Sequence, residues 1–334
     1  MVAAACATET SRRFSCTAAV LALLACLAPL TASAGPAVNQ FEVKNLDNEP
    51  GSIEFQSQNA HIFGQPRRKV LEPQPGDLAF DDNSLVRQRH ALEMEMTVTT
   101  FLRLRVGIEY ESERFDDPEI LARANSFSAL SLTEVALEGV VILVPVKGDG
   151  IGIGALAEYQ APIGDSDEAA TLFAGPIVEA QIGRWNAVAN LMLVRHIGGG
   201  ERTPMGREGR DEKLDFAYAA HLQYKVSDAW TLSLEAYGTI DRLGRTGRRS
   251  DAAALFGDHD QHRLGPVVYY TFKADGLDLR SAGAGAAARK VGAGDADDGD
   301  NDEGTSVRVG VGWLFGLNEN TPDHALKWSI EIDF

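Results

Sequence analysis

Between residues 214 and 226 the chain alternates most cleanly between apolar and polar faces. Leu214, Phe216, Tyr218, Ala220, Leu222, Tyr224 and Val226 fall on one face of an extended strand, with Asp215, His221, Gln223 and Lys225 on the other, because successive side chains point to opposite sides of the pleat. The next run sets Trp230, Leu232, Leu234 and Ile240 against Thr231, Ser233, Glu235 and Thr239. Joined at Ser227-Asp228-Ala229, the two read as a tight hairpin. The same period predicts further strands at 52–62, 86–98, 101–112, 130–146, 150–160, 170–183, 185–197, 262–274, 305–316 and 325–334, about twelve in all. The links alternate. Those at 63–85, 113–129, 161–169, 198–213 and 241–261 are long, and those at 98–100, 147–149, 183–185 and 227–229 are short. A soluble Greek-key sandwich has no reason to keep that rhythm.

The final stretch alternates in the same way: Leu326, Trp328, Ile330, Ile332 and Phe334 share one face, and Lys327, Ser329, Glu331 and Asp333 the other. With its aromatic end, this strand resembles the closing strand of Gram-negative outer-membrane β-barrel proteins, and the resemblance extends over residues 50 to 334. It implies an all-β chain, a transmembrane antiparallel up-and-down β-barrel of about twelve strands over residues 52–334, in the outer membrane. It also implies that Trp328, Ile330, Ile332 and Phe334 form the signal read by the β-barrel assembly machinery. An even strand number returns both ends of the barrel to the periplasm, where the short turns belong. Trp185, Trp230, Phe272 and Phe334 would band at that end, and Tyr110, Tyr159, Phe216 and Trp328 near the outer end.

Residues 1–34 read as a secretory signal: Arg12 and Arg13, an apolar run from Phe14 to Leu30, and Ala32-Ser33-Ala34 before Gly35. Arg12-Arg13 also fits twin-arginine export and Leu23 to Cys26 a lipoprotein box, but a barrel must travel unfolded and apolar sequence runs on past Cys26. Residues 35–51 are expected to be a periplasmic segment. Cys6, Cys16 and Cys26 all lie in the signal, so disulfides and thiol chemistry are expected to play no part in the mature chain. Removing residues 1–34 takes Glu9, Arg12 and Arg13 and moves the net charge from −17 to −18, a surface unsuited to nucleic acid. No apolar run after the signal is long enough for a spanning helix, which leaves strands unaffected, since only every second residue of a barrel strand meets lipid.

Residues 275–304, rich in Gly, Ala and Asp, interrupt the rhythm on the side that should carry a short turn. Their composition predicts a flexible acidic insertion. The acidic part lacks the ligand and glycine spacing of an EF-hand.

Strands two and three carry the most informative inner face. With Met94, Met96, Leu102, Leu104, Val106 and Ile108 toward lipid, Glu93, Glu95, Arg103, Arg105 and Glu109 point inward as a charge ladder. A turn at Val98-Thr99-Thr100 would pair Glu95 with Arg103 and Glu93 with Arg105. Glu134, Glu138, Glu158, Glu179, Asp215, Glu235, Arg263, Lys273, Arg308, Lys327 and Glu331 are also expected inside. This mixed wall suits hydrated polar solutes, with a mild cation preference. Gly152, Gly154, Gly310 and Gly312 face inward too, leaving open lumen or admitting a neighbouring segment.

Other chemistry is thinner. His221 has no evident serine partner and His196 sits near the outer end, so no nucleophile, base and orienting group assemble. Asp258-His259-Asp260-Gln261-His262 is dense in metal-ligating types, but His259 falls on the opposite face from Asp260 and His262. The basic 242–249 stretch could meet lipopolysaccharide phosphates. The sequence therefore predicts a porin-like passive transporter of small polar solutes, with no cofactor, no metal and no enzyme activity. Its expected partners are outer-membrane lipids, lipopolysaccharide and the assembly machinery. The alternatives are a closed structural or envelope-binding barrel and an outer-membrane lipid hydrolase.

Overall fold

A computed structural model of the chain describes residues 41–64, 85–115, 127–163, 169–198, 201–203, 206–208, 213–241, 243, 260–274, 305–318 and 321–334. The expected signal, most of the 242–249 stretch, Asp258, His259 and the expected insertion at 275–304 lie outside these residues. Fourteen strands are present among them: β1 (Ile53–Phe63), β2 (Leu85–Thr99), β3 (Leu102–Phe115), β4 (Ser131–Val144), β5 (Gly150–Pro162), β6 (Ala169–Ile182), β7 (Trp185–Gly198), β8 (Glu201–Thr203), β9 (Gly206–Glu208), β10 (Leu214–Lys225), β11 (Trp230–Ile240), β12 (Gln261–Lys273), β13 (Ser306–Gly316) and β14 (His324–Asp333). The short β8 and β9 pair only with each other. The other twelve close into one antiparallel barrel, β7 pairing with β10 and β1 with β14. Every expected strand is found, its bounds moved by at most three residues.

The alternation sorts the side chains as expected. Met94, Met96, Leu104, Val106, Leu137, Ile151 and Leu234 stand exposed on the outside, while Glu93, Glu95, Arg103, Arg105 and Glu109 are buried inside. Such an apolar exterior around a polar interior is the inverse of a water-soluble barrel and fits hydrocarbon. The short turns, the end of β14, the end of β12 and the start of β13 share one end of the barrel. There Trp185 packs on Tyr224 and Trp230 on Tyr270, ring centroids 4.7 Å apart in each pair. Phe334 meets Phe55 edge-on at 5.8 Å, and its N–H donates to the Ile53 carbonyl at 3.0 Å, closing the β1–β14 seam. Trp328 is not at the opposite rim as expected. It sits mid-strand, opposite Asn59 on one side and Val311 on the other.

One part of the outer face is polar. Ser57, Asn59 and His61 on β1 and Gln88 and His90 on β2 take outward positions, on the rungs where β13 presents Val309, Val311 and Trp313.

The largest departure concerns the expected periplasmic segment. Residues 41–47 lie inside the barrel, with Phe41 1% and Leu46 3% exposed. Two inner apolar clusters receive them. Phe41 joins Tyr237, Val267 and Leu314, and Leu46 joins Val140, Leu156, Ile177 and Val188. Burying each of these side chains contributes about 1.5–3 kcal/mol. Gly152 and Gly154 form the notch for Leu46, since a Cβ at Gly154 would come within 2.5 Å of Leu46 Cδ2 and one at Gly152 within 2.9 Å of Cδ1. Of the two roles foreseen for these glycines, admitting a neighbouring segment is the one observed.

Candidate functional site in the barrel lumen

Arg105 on β3 is the hub of the lumen. Its Nη1 donates to Glu42 Oε2 at 2.6 Å and Glu93 Oε2 at 2.8 Å, and its Nη2 to Glu42 Oε1 at 2.9 Å and Glu95 Oε2 at 3.0 Å. Two parallel bonds to Glu42 make a fork-on-fork contact of the kind that fixes orientation as well as charge. Arg103, two residues earlier and on the same face, reaches Asn45 through Nη1 to Oδ1 at 2.7 Å and Nη2 to the main-chain carbonyl at 2.8 Å. Glu109 lies one level away beside Arg89, at 3.8 Å, opposite Ala91 and Glu134 in register.

The ladder is present, but its register is not the expected one. Glu95 stands opposite Arg105, Thr97 opposite Arg103 and Glu93 opposite Gly107. The ladder shifts between Thr97 and Thr99, and Thr99 pairs with Leu102, so the hairpin closes two residues later than a turn at Val98-Thr99-Thr100 implies. A slip of two leaves every side chain on its predicted face, because the pleat repeats every two residues. The expected partners therefore meet diagonally: Arg103 to Glu95 at 3.3 Å and Arg105 to Glu93 at 2.8 Å.

Sequence reading missed the segment that completes this cluster. Lys44 pairs with Glu42 and lies 3.5 Å from Glu138. Burial would lower the affinity of its amine for a proton, but Glu138, Glu42, Glu93 and Glu158 together raise it well above the ordinary lysine range. Side chains from the wall also bind the main chain of the segment. Asn190 accepts from Lys44 N at 2.7 Å and donates to Lys44 O at 2.8 Å, Glu179 accepts from Leu46 N at 2.7 Å, and Tyr237 donates to the Phe41 carbonyl at 2.7 Å. Within the segment itself the sequence signal is the brief alternation Phe41-Glu42-Val43-Lys44, too short to separate from chance.

Across the lumen, β11, β12 and β14 supply a second cluster. Glu235 accepts from Lys327 Nζ at 2.6 Å and from Tyr269 at 2.5 Å, and the Tyr237 hydroxyl, 2.6 Å away, has one proton to share between Glu235 and the Phe41 carbonyl. Between the two clusters a cavity of about 570 Å³ occupies the short-turn end, lined by residues of both signs such as Glu54, Arg103, Lys225, Arg308 and Glu331.

Among the described residues, the remaining candidates each meet a polar neighbour. His221 Nε2 meets Asn186 Oδ1 at 2.8 Å, and His196 Nε2 meets Asp215 Oδ2 at 2.9 Å. On the outer face His90 Nδ1 meets Asn59 Oδ1 at 2.7 Å, and Asn59 Nδ2 donates to Ser57 Oγ at 3.1 Å. The serine is thus held by the amide. At the metal candidate, His262 Nδ1 lies 2.9 Å from the Tyr218 hydroxyl, and Asp260 Oδ1 accepts from Asp241 N.

No protein-family model and no curated protein matches the chain. Solved structures do. An outer-membrane channel from Pseudomonas putida F1 is 12% identical with a TM-score of 0.53, covering 90% of this chain and 100% of that one. The transport unit of the autotransporter AIDA-I from Escherichia coli is 11% identical with a TM-score of 0.44, over 89% of this chain and 94% of that one. The fold is that of a Gram-negative outer-membrane β-barrel. At such identities the likeness concerns the fold alone.

Proposed function

We propose that this barrel is a passive outer-membrane channel for small polar solutes, with residues 41–47 seated across its path. The observation that carries this reading is the 570 Å³ cavity of mixed charge, which lies inside a wall of twelve strands and ends at the inserted segment. Twelve strands enclose more space than the eight whose inner side chains nearly fill a barrel. Charged and polar groups hold the main chain of 41–47 and the Glu42 and Lys44 side chains, and water entering from the cavity can replace these as partners. The short-turn end faces the periplasm. The test is planar-bilayer recording of refolded protein beside a variant in which residues 41–47 become a Gly-Ser stretch of equal length. The variant should conduct steadily, and the native chain should conduct less or in brief openings. A variant that forms a folded barrel and carries no current would refute the channel.

The second reading is a closed barrel that stabilises the envelope. The two inner apolar clusters joined through Phe41, Val43 and Leu46 favour it. The same recording separates the two.

A further inference from the structure

The lumen holds residues 41–46 by contacts that recognise a peptide as such. Five main-chain groups, the carbonyls of Phe41, Lys44 and Asn45 and the N–H groups of Lys44 and Leu46, are bonded by side chains of Tyr237, Asn190, Arg103 and Glu179. Asn190 takes both the N–H and the C=O of one residue, a contact open to any residue type at that position. Selectivity must come from the side-chain pockets, and one of these is specific. Glu138 and Glu158 stand directly opposite each other on β4 and β5, an arrangement of like charges that destabilises a sheet unless a cation lies between. The Lys44 ammonium supplies that cation. Glu138 is 2% exposed, and neither of its carboxylate oxygens accepts a hydrogen bond; Arg105 Nε stands 3.6 Å away. Were Lys44 to leave, this buried carboxylate would lack its nearest ammonium. A void of about 40 Å³ adjoins the lysine, bounded by Leu156, Phe173 and Met192 as well as by Glu138 and Glu158. It gives an aliphatic stem room beside the charged head.

We propose that this part of the lumen is a binding site for short, extended peptides carrying a lysine-type ammonium, and that residues 41–46 occupy it as a tethered surrogate. The inference rests on the channel reading for its biological sense, naming the class of solute. The binding itself is measurable without any current. When 41–46 withdraws, Glu42 and Lys44 leave together, so the wall loses one charge of each sign. Arg105 keeps Glu93 and Glu95, while Glu138 and Glu158 regain their demand for a cation. An incoming peptide would restore that charge balance.

The test uses the full chain with Phe41–Leu46 replaced by a Gly-Ser stretch, folded in detergent, its folded state checked by heat-shifted gel mobility. A fluorescent, end-blocked hexapeptide of sequence Phe-Glu-Val-Lys-Asn-Leu is titrated in and followed by anisotropy. Saturable binding is expected, roughly ten-fold weaker or worse when the peptide lysine is replaced by norleucine, as fits loss of one buried charge-assisted contact. The same loss is expected when Glu138→Gln is added to the barrel. Should the replaced chain not fold, Lys44→Met in the otherwise native chain serves instead, and it should admit the hexapeptide more readily than the native protein does. Absence of saturable binding, equal binding of the norleucine peptide, or full competition by n-butylammonium alone would overturn the proposal, the last by reducing the site to a cation pocket. Binding without current in the bilayer would refute the channel and leave the peptide site standing.

Discussion

The lumen contains two buried ionic clusters of similar composition and different construction. The first, on β2, β3 and β4, centres on Arg105 and is completed by Glu42 and Lys44 from the inserted segment. The second, on β11, β12 and β14, joins Glu235 to Lys327, Tyr237 and Tyr269 and draws every member from the barrel wall. In the second, Glu235 accepts bonds on both oxygens. In the first, Glu138 accepts none despite its burial. A network whose members all belong to the wall can brace the barrel with or without the inserted segment, which it meets through Tyr237 at the Phe41 carbonyl. One that borrows partners from a separate stretch of chain remains open to exchange with whatever replaces that stretch.

The sharpest way to break the comparison is Lys327→Met. It leaves the Glu235 carboxylate buried without a cation, and losing one partner of a buried pair costs about 3–5 kcal/mol. Thermal unfolding followed by heat-shifted gel mobility should register a large fall, and an unchanged midpoint would show that the second cluster does not brace the wall. Arg103→Gln with Arg105→Gln should lower the same midpoint less, because the cavity brings water to the acids left behind, and should move reversal potentials toward cation selectivity. A loss exceeding that of Lys327→Met, with no current in either protein, would reverse the assignment of roles. Gly154→Ala sharpens the contrast without touching a charge. Its methyl group would crowd Leu46 Cδ2 at 2.5 Å and the Val141 carbonyl at 2.9 Å, so residues 41–47 should become more open to protease and the barrel midpoint should fall less than in either charge variant. The smallest effect is expected from replacing 275–304 by a tight turn. Ala274 N already donates to the Thr305 carbonyl at 2.9 Å, so the strand ends stand close enough to join, and both clusters should keep their stability. Failure of this variant to assemble would show that the insertion takes part in the barrel.

Almost all of the wall was legible in the sequence, because a two-residue period repeated over twelve strands leaves little freedom in which side chain faces which way. The inward placement of Glu93, Glu95, Arg103 and Arg105 followed from that period alone. Their pairing did not. It depends on the local turn between Thr99 and Leu102, whose closure shifts the ladder by two while preserving the faces. What fills the lumen was least legible. Residues 41–47 take their course from Asn190, Glu179, Arg105 and Tyr237, which lie far away along the chain, and seven residues without a sustained period carry no trace of such partners. Gly152 and Gly154 were the nearest hint, since paired glycines on an inner face mark space that something else needs.

The polar outer positions on β1 and β2 bear on how the barrel would rest in a bilayer. At the rungs where β13 offers Val309, Val311 and Trp313, β1 offers Ser57, Asn59 and His61, and its outer face turns apolar again at Phe63, level with Phe315. The apolar belt is therefore interrupted on one side. Lipid tails beside β1 and β2 would meet polar groups within the greasy height, and a membrane meets such a local shortfall by thinning or letting the protein tilt. The molecule thus has a front and a back in the plane of the membrane, with the interrupted side centred on its first two strands.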